Sequence, residues 1–347
     1  MRIGIVAPPW LPVPPDRYGG TELMLDRLAR GLEEAGHSVA LFTTGDSTCP
    51  VERRWVFERA DSLRMGVSVP EIRHVFHAYD AVAGCDVVHD HTVIGPIYAR
   101  RFPDLPVITT NHGPFDTELN DVYRSVADRV PVIAISRSQA GAAHRDVWLA
   151  GVIHHGIDVE RFPEGTGGGG YLLFLGRMAP EKGARRAAQI ARAAGRRLLI
   201  AAKMREPLER RYFEEEVRPL LGDGVEYVGE VGWQRKVELL AGAEALLNPI
   251  RWPEPFGLVM IEALACGTPV LAFKEGAAPE IVEHGVTGFL CGDERDMVQS
   301  LELVREIDRG ACRAAVEGHF SLRRMVDDHV DIYRRLVSGQ LSRGARP

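Results

Sequence analysis

Short apolar stretches alternate with longer, helix-like stretches along most of the chain. The first apolar run, RIGIVAP, is followed by a segment near Thr21 to Glu34 whose pattern is helical. Further strand-like runs occur at SVALFTT, DVVHDH, PVITTNH and VIAIS. An order of strand, helix and strand predicts parallel strands joined by helical crossovers.

The same order begins again after the glycine-rich segment GTGGGG at residues 165–170. The later strand-like runs are YLLFLGR, RLLIAAK, VEYVGE, ALLNPI and PVLAF. The pattern therefore predicts two doubly wound α/β domains, residues 1–153 and 171–320, joined by a loop-like linker at 154–170. A last segment, 321–341, is helical in pattern and could pack back on the first domain.

Length and composition agree with this division. The 347 residues suit two domains of roughly 150 residues each. A net charge of -6 argues against a nucleic-acid partner. Five scattered cysteines without CxxC spacing indicate reduced thiols in a cytoplasm. No run of about 18 apolar residues occurs, so we expect no integral membrane segment.

Open parallel sheets bind ligands beyond the carboxyl ends of their strands, so the loops that follow the predicted strands are the candidate sites. The first such loop lacks the G-x-G-x-x-G pattern of dinucleotide-binding proteins. It ends instead in Gly19 and Gly20, whose bare backbone can approach an anion or a sugar. An ordinary glycine turn is the alternative interpretation.

The stretch RWPEPFGLVMIEAL is the most specific of these loops. Two prolines keep Glu254 out of any helix, and the helical pattern begins directly after it, near Phe256 or Gly257. The first turn of a helix has unpaired N–H groups and the positive end of the helix dipole, which suit a phosphate. The N–H groups concerned are those of Phe256, Gly257 and Leu258.

Glu262 is expected about one and a half turns inside this helix, roughly 8 Å from its start. A carboxylate in an apolar helix is costly unless it is hydrogen-bonded, and vicinal hydroxyls offer such bonds in pairs. We therefore expect Glu262 to bind a ribose and Glu254 a sugar, with a buried Glu–Arg pair as the alternative. In LGRMAPEKG, Arg177 and Lys182 could bind a diphosphate, although ordinary surface cations would look the same.

Together these motifs resemble the retaining glycosyltransferases of family 4. That family has the GT-B fold, in which two Rossmann-like doubly wound parallel-sheet domains face a central cleft. The pattern EPFGLVMIE, the loops GRMAPEKG and YGGTE, and the segment GIDVERF occur in the family's order. The resemblance covers essentially the whole chain. The YGGTE loop with RWPEPFG looks most like the subgroup of antibiotic and pterin glucosyltransferases.

The resemblance implies an acceptor-side first domain and a second domain that binds the nucleotide sugar. Arg177 and Lys182 would neutralise the donor diphosphate, Glu262 would hold the ribose, and Glu254 would hold hydroxyls of the donor sugar. His112 matches the histidine that faces the reacting sugar. The other implied donor contacts come from Gly19, Gly20, Val231, Phe256, Gly257 and Leu258.

Acceptor contacts are expected from Glu22, His91 and Asn111, with a helix surface charge and a turn residue as the alternatives for Glu22 and Asn111. The cluster of His89, Asp90 and His91 could suggest a metal, but side chains along a strand alternate between its faces. We expect no metal and no other cofactor.

The implied activity is the transfer of a hexose, with glucose favoured, from a UDP-linked donor to a small-molecule or glycan acceptor. The route would be a metal-independent, front-face displacement that retains configuration, in the cytoplasm. A nucleotide-sugar epimerase of the same fold and a catalytically silent nucleotide-sugar-binding protein are the alternatives. In KEGAAPE, Ala277 stands where the family often has a second glycine, which leaves that loop's donor contacts open.

Overall fold

The computed structural model describes residues 1–16 and 19–341. Within these residues the chain forms two compact units. The first unit comprises residues 1–156 with the described residues from 322 on, and the second comprises residues 157–321. Tyr18, the first residue of the YGGTE loop, lies outside the described residues.

Each unit contains one parallel sheet. The strands of the first unit are β1 Arg2–Val6, β2 Ser38–Thr43, β3 Glu52–Trp55, β4 Val87–Asp90, β5 Val107–Thr110, β6 Val132–Ala134 and β7 Leu149–Val152. Those of the second unit are β8 Leu172–Arg177, β9 Leu198–Lys203, β10 Val225–Gly229, β11 Ala245–Asn248, β12 Val270–Phe273 and β13 Gly288–Cys291.

The helices lie between the strands and after the last one. In chain order they are α1 Gly20–Glu34, α2 Ser68–Val82, α3 Gly95–Tyr98, α4 Thr117–Ser125, α5 Arg137–Ala142, α6 Ala184–Ala193, α7 Pro207–Tyr212, α8 Trp233–Gly242, α9 Leu258–Ala265, α10 Ala278–Ile281, α11 Glu294–Ser300, α12 Arg309–His319 and α13 Leu322–Val337. None of the helices in the described part of the chain is long and apolar enough to cross a bilayer.

The strand order is β3-β2-β1-β4-β5-β6-β7 in the first sheet and β10-β9-β8-β11-β12-β13 in the second. The strand pairs of both sheets are parallel. In each sheet the order runs outward from the first strand and then reverses, which is the doubly wound arrangement. The prediction of two doubly wound α/β domains is confirmed.

The two faces of the first sheet are covered by different helices. Ile3 and Ile5 of β1 belong to a buried cluster with side chains of α1 and α13. Val6, on the opposite face, belongs to a second buried cluster with side chains of α2. Gly4 lies on the α2 side, where a Cβ would come within 2.8 Å of Val82 Cβ. The period-two alternation thus gives each face of β1 its own helical layer.

The C-terminal helix α13 belongs to the first unit. It packs against α1, and their contact includes Gly31 of α1 and Val326 of α13. A Cβ on Gly31 would come within 2.6 Å of Val326 Cγ2. The missing side chain therefore lets the two helices approach closely.

The segment 154–170 divides between the two units rather than standing apart from them. Its residues from 157 on belong to the second unit, where Ile157 pairs with Ser321 in an isolated parallel bridge. Gly165 donates its N–H to the carbonyl of Cys266, and a Cβ on it would lie 1.9 Å from the carbonyl oxygen of Ala241. The glycine run permits close backbone packing there.

The contact between α1 and α13 predicts different effects for one substitution at two helical glycines. Ala is favoured over Gly in helices, but at Gly31 its methyl group would overlap Val326. Gly141 of α5 has no neighbouring atom within 4 Å of its Cβ position. We expect Gly31→Ala to be about 1–2 kcal/mol less stable than Gly141→Ala in urea denaturation. Equal midpoints for the two variants would contradict the close approach.

Candidate active site

In the second unit, the predicted site residues lie at or after the carboxyl ends of β8, β10 and β11. Arg177 is the last residue of β8, and Lys182 ends a short 3-10 turn, Pro180–Lys182, just before α6. Val231 lies in the loop between β10 and α8, and Glu254 in the loop between β11 and α9. Parallel strands end at one edge of the sheet, so these loops converge there.

Lys182 and Glu254 form an ion pair. Their side chains are 14% and 17% exposed, so both remain open to a ligand. The ammonium nitrogen of Lys182 also lies 5.2 Å from the centre of the Trp252 ring. An aromatic face attracts a cation and restricts the conformations that the flexible lysine side chain can adopt. The pair and the ring together hold Lys182 beside the Glu254 loop.

Arg177 is bound by carboxylates as well. Its Nη2 donates to Glu181 Oε1 at 2.6 Å, and its Nε lies 3.9 Å from Glu209 Oε1. Glu209 is 4% exposed and accepts a hydrogen bond from Lys203 at 3.2 Å. A guanidinium has five N–H donors and an ammonium three, so both cations can bind further oxygens while keeping these partners.

The Glu254 loop rests on the loop after β12. The N–H of Ala277 donates to the carbonyl of Glu254 at 3.0 Å. Gly276 has a φ of +54°, and a Cβ there would lie 2.4 Å from that carbonyl oxygen. Ala277 has a φ of -82°, which any residue adopts, and its side chain is buried. One glycine in KEGAAPE is therefore needed for this contact, and alanine fits at the next position.

Helix α9 begins at Leu258, with Gly257 as its N-cap at a φ of +97°. This start is one or two residues later than predicted, because Gly257 takes a left-handed conformation instead of entering the helix. The side chain of Phe256 is buried and contacts the ring of Phe320. The N–H groups at this end of α9 lack acceptors one turn earlier in the helix, as in any helix start.

Glu262 lies inside α9 and is paired with a residue that the sequence patterns did not single out. Lys236 of α8 donates to both carboxylate oxygens of Glu262, each at 2.9 Å. The Glu262 side chain is 5% exposed and that of Lys236 17%. The lysine also lies 4.8 Å from the Trp233 ring. A buried carboxylate needs such a partner, so the partner is a lysine rather than the arginine considered from the sequence.

In the first unit, Gly19 and Gly20 stand at the beginning of α1. Gly20 is the first helical residue, and Gly19 precedes it at a φ of 169°, which is ordinary extended backbone. A Cβ on Gly19 would lie 2.9 Å from the Pro15 ring and 3.0 Å from Glu22 Oε2. Crowding by these neighbours, rather than backbone strain, accounts for glycine at this position.

Glu22 is a buried acid in the first turn of α1. It is 5% exposed, so the interpretation as a helix surface charge is wrong. Burial removes water from the carboxylate and raises the pKa of Glu22 from 4.5 to about 7. A carboxyl with this pKa can exchange a proton near neutral pH.

His112 and His91 belong to a group of packed histidines. Nδ1 of His91 lies 2.9 Å from Nε2 of His112, and the two ring centres are 5.1 Å apart. The ring of His155 stacks on that of His112, with the ring centres 5.7 Å apart. Burial lowers the pKa of His112 to about 3 and that of His91 well below its usual value, so both imidazoles are neutral at pH 7.

The two residues before His91 have structural partners. His89 Nδ1 lies 2.6 Å from the Tyr333 hydroxyl, and its Nε2 lies 2.7 Å from the Thr110 hydroxyl. The rings of His89 and His91 are 3.9 Å apart, while Asp90 accepts a hydrogen bond from Tyr79 within the opposite helical layer. The predicted alternation of faces is confirmed. Among the described residues, no group of three His, Cys, Asp or Glu side chains is arranged to hold a metal ion.

Asn111 builds a turn. Its side-chain oxygen accepts the N–H of Gly113 at 3.0 Å, and its side-chain nitrogen lies 3.5 Å from the carbonyl of Pro114. Its own carbonyl accepts from the Gln139 amide. The structure therefore favours the turn interpretation of Asn111, and His112 lies in this turn, two residues beyond the end of β5.

Comparisons with protein families cover both halves of the chain. The family described as Glycosyltransferase Family 4 matches residues 18–161, and that described as Glycosyl transferases group 1 matches residues 169–305. A phosphatidyl-myo-inositol mannosyltransferase of Mycolicibacterium smegmatis is 27% identical over 84% of this chain and 80% of its own. A D-inositol 3-phosphate glycosyltransferase of the same organism is 30% identical over 56% of this chain and 50% of its own.

Solved structures extend the similarity to the whole chain. AviGT4, a glycosyltransferase involved in avilamycin A biosynthesis, is 28% identical with a TM-score of 0.72, over 97% of this chain and 98% of its own. HepE of Anabaena, in complex with UDP and glucose, has a TM-score of 0.74 over 95% of this chain and 98% of its own. HepE is 18% identical, so it supports the fold alone. These two-domain structures share the GT-B fold.

The buried acid Glu22 predicts a pH-dependent stability. Its pKa is about 7 in the folded chain against 4.5 ordinarily, so the folded state binds this proton more tightly than the unfolded state. The contribution of this proton to the folding stability is fully present below about pH 4.5 and is lost as the pH rises through 7. We expect Glu22→Gln to exceed wild type by about 1–3 kcal/mol at pH 8 and to match it at pH 4.5. Glu33→Gln, at an exposed site on the same helix, is the control in thermal unfolding. A gain for Glu22→Gln that is equal at both pH values would contradict the burial argument.

Proposed function

The chain is a glycosyltransferase of family 4 type with the GT-B fold, and on that premise we propose that it transfers a hexose from a nucleotide-sugar donor to an acceptor with retention of configuration. We favour glucose as the hexose and a UDP-linked donor. The observation that carries the proposal is the geometry around α9. One carboxylate precedes the start of this helix and one lies inside it, each is bound to a lysine, and the helix start between them can hold a phosphate.

The two carboxylates suit different parts of one donor molecule. Glu262 lies inside α9 with both oxygens held by Lys236, and we assign it to the ribose hydroxyls. Glu254 lies on the loop before the helix and is assigned to hydroxyls of the transferred sugar. The backbone N–H groups at Gly257 and Leu258 lie between them along the chain and are assigned to phosphate. Val231 is assigned to the base pocket.

Lys182 and Arg177 are assigned to the diphosphate. When the anomeric bond breaks, the nucleoside diphosphate gains negative charge, and fixed cations stabilise that charge most. Both cations are already held in place by carboxylates, so little rearrangement is needed when the donor binds. With this charge supplied by side chains and a helix start, the proposed reaction needs no metal ion.

In the proposed reaction the acceptor hydroxyl attacks the anomeric carbon from the face that the diphosphate leaves. The leaving phosphate oxygen takes the acceptor proton. We assign His112 to stabilising the reacting sugar, Gly19 and Gly20 to the phosphate, and Glu22 and His91 to the acceptor side. The five cysteines are all buried free thiols, which supports a reducing compartment such as the cytoplasm.

The donor is tested by following nucleotide release. The protein is incubated with UDP-, GDP-, ADP- and dTDP-linked sugars, with and without a cell extract as the acceptor source, and the products are measured by mass spectrometry. We expect extract-dependent release of UDP from a UDP-hexose; HepE, with a similar fold, has been solved with UDP-glucose. An isomerised sugar without nucleotide release would instead indicate an epimerase, and binding without turnover of any donor a silent binding protein.

The role of Lys182 is tested by substitution. If its ammonium stabilises the leaving diphosphate, Lys182→Ala should lower kcat by roughly 10²-fold or more. Arg211→Ala is the control, because Arg211 is 72% exposed and pairs with the exposed Glu215 on the surface. A kcat of Lys182→Ala close to that of the control would remove this role from Lys182.

A further inference from the structure

The hydrogen bond between His91 and His112 leaves one proton position to be decided. Both rings are neutral, so each carries a single N–H. Between them lie one donor and one acceptor, since Nδ1 of His91 and Nε2 of His112 are 2.9 Å apart. Which ring donates determines what the outer nitrogen of His112, its Nδ1, offers to a ligand.

The other nitrogen of His91 distinguishes the two arrangements. His91 is 6% exposed, and its Nε2 is buried without a hydrogen-bond partner among the described residues. If His112 were the donor, this Nε2 would carry a proton with no acceptor. If His91 is the donor, its Nε2 carries no proton and presents only a lone pair. Orphaned buried N–H groups are rarer in proteins than unsatisfied acceptors.

Another histidine of the first unit resolves the same choice unambiguously. Nε2 of His74 lies 2.8 Å from the carbonyl oxygen of Ala7 and must donate to it, because a carbonyl can only accept. Nδ1 of His74 is buried without a partner and is therefore the bare nitrogen of that neutral ring. The interior of this unit thus already accommodates an imidazole lone pair without a partner.

We propose that His91 is a positioning residue, which donates its Nδ1–H to Nε2 of His112 and thereby holds His112 in the tautomer that carries its proton on Nδ1. Among the described residues Nδ1 of His112 has no hydrogen-bond partner, and the residue is half-buried. In this tautomer His112 offers a hydrogen-bond donor to a ligand oxygen.

The inference deepens the proposed function and rests on it for its consequence. A neutral His112 with the proton on Nδ1 can donate to a hydroxyl of the transferred sugar, but that nitrogen cannot accept the proton of the acceptor. The arrangement therefore assigns His112 the role of an orienting donor and leaves proton acceptance to the leaving phosphate. His91 acts through His112 in this scheme and needs no contact with the sugar.

The test measures the tautomer directly. The full chain is labelled with ¹⁵N-histidine, and long-range ¹H–¹⁵N correlation spectra assign the ring protons, with the His112 signals identified by their absence in His112→Gln. We expect the His112 proton on Nδ1 in the wild type. A proton on Nε2 would overturn the proposal, whatever the activity of the chain.

Two variants of nearly equal size test whether the hydrogen bond from His91 sets the tautomer of His112. The amide of His91→Asn keeps a donor near the position of Nδ1, whereas the carboxylate of His91→Asp can only accept. We expect His91→Asn to keep the wild-type tautomer. His91→Asp should move the proton to Nε2 of His112. An unchanged tautomer in His91→Asp would overturn the positioning role.

Steady-state kinetics of the same two His91 variants provide a second test. We expect kcat to be roughly tenfold or more lower in His91→Asp than in His91→Asn, with a smaller difference between the two variants in the KM of the donor. His77→Asp, at an exposed histidine of α2, controls for the added charge. If no donor turns over in any protein, the proposed function fails, while the tautomer spectra still decide this inference.

Discussion

Buried carboxylates have to be paired, and this requirement organises the site of the second unit. Glu262 is almost fully enclosed in an apolar helix, where an ionised carboxylate is stable only with a close partner. Lys236 supplies that partner from α8, and Lys182 supplies one to Glu254 from the turn after β8. The first pair joins α8 to α9, and the second joins the turn after β8 to the loop before α9. The pairs therefore set both the positions of the carboxylates and those of the cations beside them.

In the first unit, the histidines at the site are kept neutral by burial, in contrast to the charged pairs of the second unit. Five histidines of the first unit are buried among one another, so removal of water lowers their pKa values and keeps the rings neutral: His89, His91, His112, His155 and His329. A neutral imidazole is a directional group with one donor and one acceptor. The first unit thus contributes hydrogen bonds with defined direction, while the second contributes charge. In the proposed reaction, charge would stabilise the leaving diphosphate and directed hydrogen bonds would orient the sugar.

Small residues allow the close approaches on which these arrangements depend. Gly276 lets its loop lie against the backbone of Glu254, and Gly257 ends the loop in a left-handed conformation before α9. Gly31 brings α13 onto α1, and α13 carries Tyr333 to His89. In each case a Cβ would overlap a neighbour. At Gly31 and Gly276 the neighbour is distant in sequence, so a contact between separate parts of the chain accounts for glycine there. At Gly257 the left-handed backbone conformation accounts for it.

Periodicity and spacing were sufficient to predict the architecture and to place Glu254 on a loop before the helix that carries Glu262. The alternation of strand and helix patterns predicts two doubly wound sheets, and the prolines around Glu254 separate its loop from the helix that carries Glu262. The partners of those residues are not local: Lys236 lies 26 positions before Glu262, and His91 lies 21 positions before His112. Such pairings depend on which loops the sheet brings together and on how far each side chain is buried. Neither is contained in a local pattern of residues, and so only the tertiary structure decided how each carboxylate and imidazole is held.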